Sequence, residues 1–321
     1  GGGNSGGPGV GTTPIVPCED GEAQEVDENG NCYGDPVDED DTVDPVVSRE
    51  IAINNLLEDN PYLLLEIDCD QLPNWVSLAQ NEAPQSIKDK IDNLSGNFFN
   101  DFAIQTLQDA GGTIVNMDYF GVKVNTLPNK PNGQPYTADE FLNHFRRNLS
   151  SFAEGSTFDP YCEISSICSQ ETQLWNSSDP TGAIVYVDIP GDDGAVICSE
   201  YYNDYWLFKT LNAPGAGNHP VSGTRQFGYE QNIDGSYNFF VRGVDRFDNN
   251  LIENASYLRF GGEPFSPADD LWESFQTKLN QFVNSNGGNS QILIPSKERP
   301  DWDKVKNVLE GNRPISDLGC N

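Results

Sequence analysis

Residues 218 to 248 read NHPVSGTRQFGYEQNIDGSYNFFVRGVDRFD, and this stretch decides the fold. Two alternating runs, Val221 to Glu230 and Tyr237 to Val244, flank the turn sequence Asn232-Ile233-Asp234-Gly235-Ser236. Aromatic and β-branched residues on both sides of an Asp-Gly turn predict a β-hairpin. Side chains alternate across a strand, so Tyr237, Phe239 and Val241 share one face and Asn238, Phe240 and Arg242 the other. Gly243 interrupts the second run, which predicts a bulge there. Asp245 stands between Arg242 and Arg246 and can pair with either.

The same stretch holds one of the two histidines of the chain and several of its few basic residues. His219, Arg225, Arg242 and Asp245 form a candidate ligand site: Arg presents a planar fork to an anion and His exchanges a proton near neutral pH. Structural ion networks look the same in sequence, and a network that fixes the hairpin is the default reading.

Outward from the hairpin, strand patterns recur at Thr113 to Thr126, Ala183 to Ile189, Ala195 to Ser199 and Tyr205 to Leu211, with a further one near Ala255 to Phe260. Turns of a few residues join several of them, and short turns imply antiparallel pairing. Helices are predicted from Pro84 to about Leu94 and from Asn97 to Ala110. Another follows Thr137, whose Thr-Ala-Asp-Glu sequence is a capping box. Beyond it, Phe141, Leu142, Phe145, Leu149 and Phe152 form one stripe at helical period. His144 flanks that stripe as a packing residue. Ser266 reads as the cap and Pro267 as the first residue of a helix carrying Leu271, Trp272, Phe275, Leu279, Phe282 and Val283. A last helix starts at Pro300, with Trp302, Val305, Val308 and Leu309 inward. Residues 153 to 182 read as loop-rich, and Cys69 to Trp75 as a turn anchored by the tryptophan. The expected class is α+β, a largely antiparallel sheet covered by amphipathic helices.

Residues 1 to 47 differ. Glycine comes first, then acidic runs, with too little apolar surface for a core, so we expect a disordered acidic tether ahead of a single domain over 48 to 321, with a helical subregion in 48 to 110. The start GGGNSGGPGVGTTP reads as a processed N-terminus, and we expect the flexible segment that follows the lipidated cysteine of a bacterial lipoprotein. Arg49 to Leu57 reads as a short helix or docking segment and Tyr62 to Ile67 as a strand.

The formal net charge of -32 argues against nucleic acid and against direct contact with an anionic membrane. It suits calcium or a basic protein. Asp188, Asp192 and Asp193 converge on a turn and are candidate calcium ligands, with an exposed acidic hairpin tip as the alternative. Asp27, Asn29 and Asn31 lack the distal glutamate and helices of a calcium loop. No cofactor is expected otherwise. Phosphate-binding glycine loops, a Gly-x-Ser-x-Gly elbow and a His-Glu-x-x-His helix are absent from the sequence, and two histidines exclude a multi-histidine metal site.

The chain has seven cysteines. Cys18 with Cys32, and Cys162 with Cys168, are spaced as local disulfides of an exported protein. Cys69, Cys198 and Cys320 have no evident local partner.

LEIDCDQLPNW (65 to 75), YTADEFLNHFRRNL (136 to 149), GAIVYVDIPGDDGAVICS (182 to 199), NHPVSGTRQFGYEQNIDGSYNFFVRGVDR (218 to 246) and LWESFQTKLNQFVNSNGG (271 to 288) together resemble a largely uncharacterised family of exported proteins of flavobacteria and other Bacteroidota. Some members are surface lipoproteins; in others the module precedes a polymorphic-toxin domain. The resemblance implies a compartment and no reaction. The expectation is a non-enzymatic, surface-exposed or periplasmic lipoprotein-like accessory protein. It would bind other envelope or secretion proteins and meet the membrane only through an N-terminal lipid anchor. The alternatives are a secreted trafficking or packaging module of a toxin system, or a ligand-binding or hydrolytic domain with its site at 218 to 246.

Overall fold

The computed structural model describes residues 67–96, 101–189, 192–259 and 265–320, together with two short strands nearer the N-terminus. The chain divides into two compact units, Gly1–Leu64 and Leu65–Asn321. In the first, β1 (Glu25–Val26) pairs antiparallel with β2 (Cys32–Tyr33). The expected disorder of the tether, the segments at Arg49 to Leu57 and Tyr62 to Glu66, and the pairing of Cys18 with Cys32 lie outside the described residues.

The second unit starts with α1 (Leu72–Gln80) and α2 (Gln85–Ser95), then β3 (Ala103–Ile104) and the long β4 (Val115–Thr126). Next come α3 (Ala138–Arg147), the single turn α4 (Leu149–Phe152), β5 (Thr157–Pro160) and α5 (Ser165–Trp175). Five strands follow in sequence: β6 (Ile184–Ile189), β7 (Asp192–Tyr201), β8 (Tyr205–Asn212), β9 (Val221–Gln231) and β10 (Tyr237–Phe247). The chain closes with α6 (Asn250–Arg259), α7 (Ser266–Ser285), β11 (Asn289–Ile292), β12 (Ser296–Glu298) and α8 (Trp302–Leu309). This is an α+β unit built on a ten-stranded sheet in the order β11-β4-β10-β9-β8-β7-β6-β5, with β12 also on β4 and β3 also on β8. Every pairing among the described strands is antiparallel.

Period-two alternation sends each strand's apolar residues to two faces, and both are covered. On the first, Phe120 and Val122 of β4, Phe208 of β8, Phe227 of β9 and Phe239 of β10 meet the stripes of α3, α4 and α7. Trp206 and Phe227 stack with centroids 4.8 Å apart, and Phe145 sits 5.0 Å from Trp206. Aromatic pairs of this kind add to the area they bury. The capping box at Thr137 forms with both its hydrogen bonds, and buried Arg146 donates to the carbonyls of Trp175 and Ser177, finishing α5. On the second face, Ile87 and Ile91 of α2 pack with Ile184, Ile197 and Leu211. The Trp75 indole, fully buried, donates to the Asp118 carbonyl at 2.9 Å. Leu72 to Trp75, expected as a turn, are therefore the first turn of α1, which starts just after the chain turns at Cys69 to Gln71.

Three further expectations fail, each for a tertiary reason. The helix expected over Asn97 to Ala110 is not formed in Asp101 to Ala110; Ala103 and Ile104 pair with β8 instead, because β9 leaves that edge of β8 open beyond Lys209. The loop-rich stretch expected over 153 to 182 contains β5 and α5, and the strand expected near Ala255 to Phe260 is largely the end of α6. Both missed helices carry a buried glutamate where a core residue is expected. Glu171 of α5 pairs with Lys90 at 2.6 Å and accepts the Ile184 N–H at 2.7 Å. Glu253 of α6 accepts the N–H groups of Thr113 at 2.8 Å and Ile114 at 3.0 Å. These carboxylates satisfy strand and loop donors that would otherwise be buried unpaired. A smaller difference concerns α7: Phe265 occupies the cap position and Ser266 is already helical.

Candidate functional site

The sequence-predicted set does not assemble as one site. Its heart is a cluster centred on Arg225, on the first face of the sheet. Gly243 lies opposite Asp118 in β4 and opposite Arg225 in β9. Arg225 donates from Nη1 and Nη2 to the two Asp118 oxygens, both at 2.8 Å, and from Nη2 to Asp245 Oδ2 at 2.9 Å. The Asn116 amide bridges the carboxylates, at 2.9 Å from Asp118 and 3.0 Å from Asp245. The guanidinium lies 4.7 Å from the centre of the Trp272 ring of α7, which covers one side of it.

Two sequence expectations change here. The register through Gly243 is unbroken, so there is no bulge. The glycine serves another purpose: a Cβ there would come within 2.6 Å of the Arg225 guanidinium carbon. Asp245 pairs with Arg225 of the neighbouring strand, not with Arg242 or Arg246, whose side chains leave β10 on the other face. Burial pulls the Arg225 pKa down, yet Asp118 and Asp245 outweigh it and hold the guanidinium above its ordinary value. Burial raises the Asp245 carboxyl, against the pull of Arg225. The guanidinium is spent on two carboxylates, so the cluster has no free cation for an anionic ligand.

His219 precedes β9. Its ring lies against Gly194, where a Cβ would have no room, and Nδ1 is 3.0 Å from the Val221 carbonyl oxygen. Its backbone N–H and carbonyl are both held by the Gln105 amide. Burial pushes its pKa down to about 4, so the ring is neutral at physiological pH. Arg242, on the opposite face, donates to Gln226 at 2.7 Å, pairs with Glu230 at 3.1 Å and covers Phe240. His144 is half-buried among Tyr136, Phe152 and Phe282.

Asp188 and Asp193 are cross-strand partners, and the Tyr186 hydroxyl bonds to Asp193, which, with burial, pushes its pKa up to about 12. The side chain of Asp192 lies outside the described residues. Among the described residues no group of three or more His, Cys, Asp or Glu side chains could hold a metal ion. Cys162 and Cys168 form a disulfide, and so do Cys69 and Cys320, 251 residues apart. The second bridge was not visible in the sequence because its partners meet only after α8 returns to α1. Cys198 is a buried thiol whose pKa burial raises.

The open site lies on the second face. β9 pairs with β8 only as far as Lys209↔Thr224; beyond it β3 takes the edge of β8. The sheet splits there, and a cleft of about 790 Å³ opens between the split, the α1–α2 connection and α2. Lys209, 5% exposed, stands at its floor. Its Nζ donates to the Asn81 carbonyl oxygen at 2.6 Å and to Thr224 Oγ1 at 3.0 Å. No carboxylate among the described residues lies within ion-pair distance of it. Burial therefore dominates and pushes its pKa down to about 8, against the opposing fields of Glu200 and Glu82. The one signal in the sequence was a lysine within YWLFKTLN, directly after the apolar run Tyr205 to Phe208.

No family model matches the chain, and no curated protein matches it. Among solved structures, protein Ms6760 from Mycobacterium smegmatis is 9% identical, with a TM-score of 0.29 over 56% of this chain and 95% of that one. Protein XoxI from Bacillus cereus is 13% identical, with a TM-score of 0.26 over 52% and 94%. At such scores neither likeness carries an argument about fold or function.

Proposed function

We propose that this chain is an exported, envelope-associated accessory protein that acts by binding other envelope or secretion proteins, with its N-terminal segment as the tether. The observation that carries this reading is the Cys69–Cys320 bridge, which ties the start of the second unit to its end. Such bridges persist in oxidising compartments and are rare in reducing ones. The Arg225 cluster supports binding over chemistry at the hairpin, because its charged groups are occupied in joining β4, β9 and β10. The net charge of -32 favours a basic protein surface as partner. No helix among the described residues is long and apolar enough to cross a membrane.

The test is an affinity pull-down from detergent-solubilised envelopes of the native host, read by mass spectrometry. Stoichiometric recovery with an envelope or secretion protein, weakened by salt, is the expected result. Recovery of the chain alone, or its presence only in the reduced form in the cytosol, overturns the reading.

A further inference from the structure

Lys209 differs from a lysine that merely completes a core. It is buried on a strand, two positions around Nζ are taken by neutral oxygens, and the group lines a cleft large enough for a small molecule. Fully buried amines without a carboxylate are the setting in which lysine becomes a nucleophile, because desolvation favours the uncharged form. The fields acting on the amine come from several elements: Glu200 of β7 and Glu82 of the α1–α2 connection favour the ammonium, and Lys88 of α2 opposes it. Burial outweighs them.

The lining also constrains the ligand. Ile91, Phe102, Ile104 and Leu107 supply apolar surface. Glu82, Asp92 and Glu310 outnumber Lys88 and Lys209 in the lining, so the cleft disfavours an anionic ligand. The side-chain oxygen of Asn81, a residue that lines the cleft, is buried without a hydrogen-bond partner. Buried polar atoms are normally satisfied, so this one invites a donor from a ligand.

We propose that the cleft is a binding site for a small, neutral, partly apolar aldehyde or ketone, which Lys209 holds as an imine. The Nζ lone pair attacks the carbonyl carbon and a C–N bond forms, while the carbonyl oxygen takes up a proton. The carbinolamine then loses that oxygen as water together with the second amine proton, leaving the imine. The step is a reversible condensation and needs no oxidant or reductant. Asn81 and Thr224 hold the amine in place for the attack.

The experiment uses the folded full chain with benzaldehyde as probe and sodium cyanoborohydride to trap the imine, followed by peptide mapping. Lys209 is expected to be benzylated about ten-fold or more faster than exposed Lys304 at pH 7, with a rate that saturates in benzaldehyde and rises towards pH 8. Lys209→Met is expected to remove the fast phase and leave labelling of Lys304 unchanged. Labelling of Lys209 at or below the rate of Lys304, or only after denaturation, overturns the proposal. Mapping on the unmodified chain separates these outcomes even where the Lys209→Met variant fails to fold.

Discussion

Thr224 and Arg225 are neighbours on β9, yet they serve opposite faces of the sheet and two inward-facing cations of opposite character. Arg225 has two carboxylates, a bridging amide and an indole lid. Lys209, held by Thr224, has two neutral oxygens and an open cleft. A cation matched by buried counter-charges is locked to its strands; one matched only by dipoles keeps a soft proton and a free side. Histidine and arginine in the hairpin drew attention to the first, which is architecture. The second, carried by an inconspicuous lysine, lines a cleft and has the electrostatics of a site.

The contrast predicts unequal responses. Arg225→Met should cost about 3–5 kcal/mol in a denaturant titration, because it strands two buried carboxylates side by side. Adding Asp118→Asn and Asp245→Asn to that variant should recover a large part of the loss. A loss below about 1 kcal/mol would place the cluster among ordinary surface pairs.

Lys209→Met should stabilise at pH 7, by up to about 3 kcal/mol, since the folded state carries a pKa of about 8 against 10.5 for the free side chain. Between these values the unfolded chain holds more protons, so rising pH favours the folded wild type. The advantage of the variant should therefore shrink from pH 8 to pH 10.5 and be fully present below pH 8. A pH-independent difference would contradict the assignment.

Gly243→Ala should cost about 1–3 kcal/mol, because the guanidinium it would displace is pinned on both sides. Combining it with Arg225→Met should cost less than the sum, which a double-mutant cycle measures. Smallest is Arg242→Met, within about 1 kcal/mol, since its partner Glu230 is half exposed. A large loss there would shift the structural load from one face to the other.

Much of the architecture was readable locally. The hairpin, the neighbouring strands, the capping box at Thr137 and the stripes of α3 and α7 follow from periods of two and 3.6 and from turn and cap residues. Two of the failures were polar. Glu171 and Glu253 occupy core-facing positions because each binds backbone donors from a distant segment, so α5 and α6 show no clean apolar stripe. Asp118, in the middle of VNMDYFGV, reads as a solvent-facing position of an alternating strand until Arg225 arrives from β9.

The sequence by itself determined the class, the antiparallel order of the hairpin strands, the local Cys162–Cys168 bridge and the acidic character that disfavours nucleic acid. Those properties depend on neighbours in the chain or on sums over it. Tertiary structure alone decided which buried charges neutralise one another, that Cys69 meets Cys320, and that the sheet splits at Lys209 to leave a cleft. Each of these needs groups from segments about a hundred or more residues apart, and the desolvation that sets their chemistry exists only once those segments have packed.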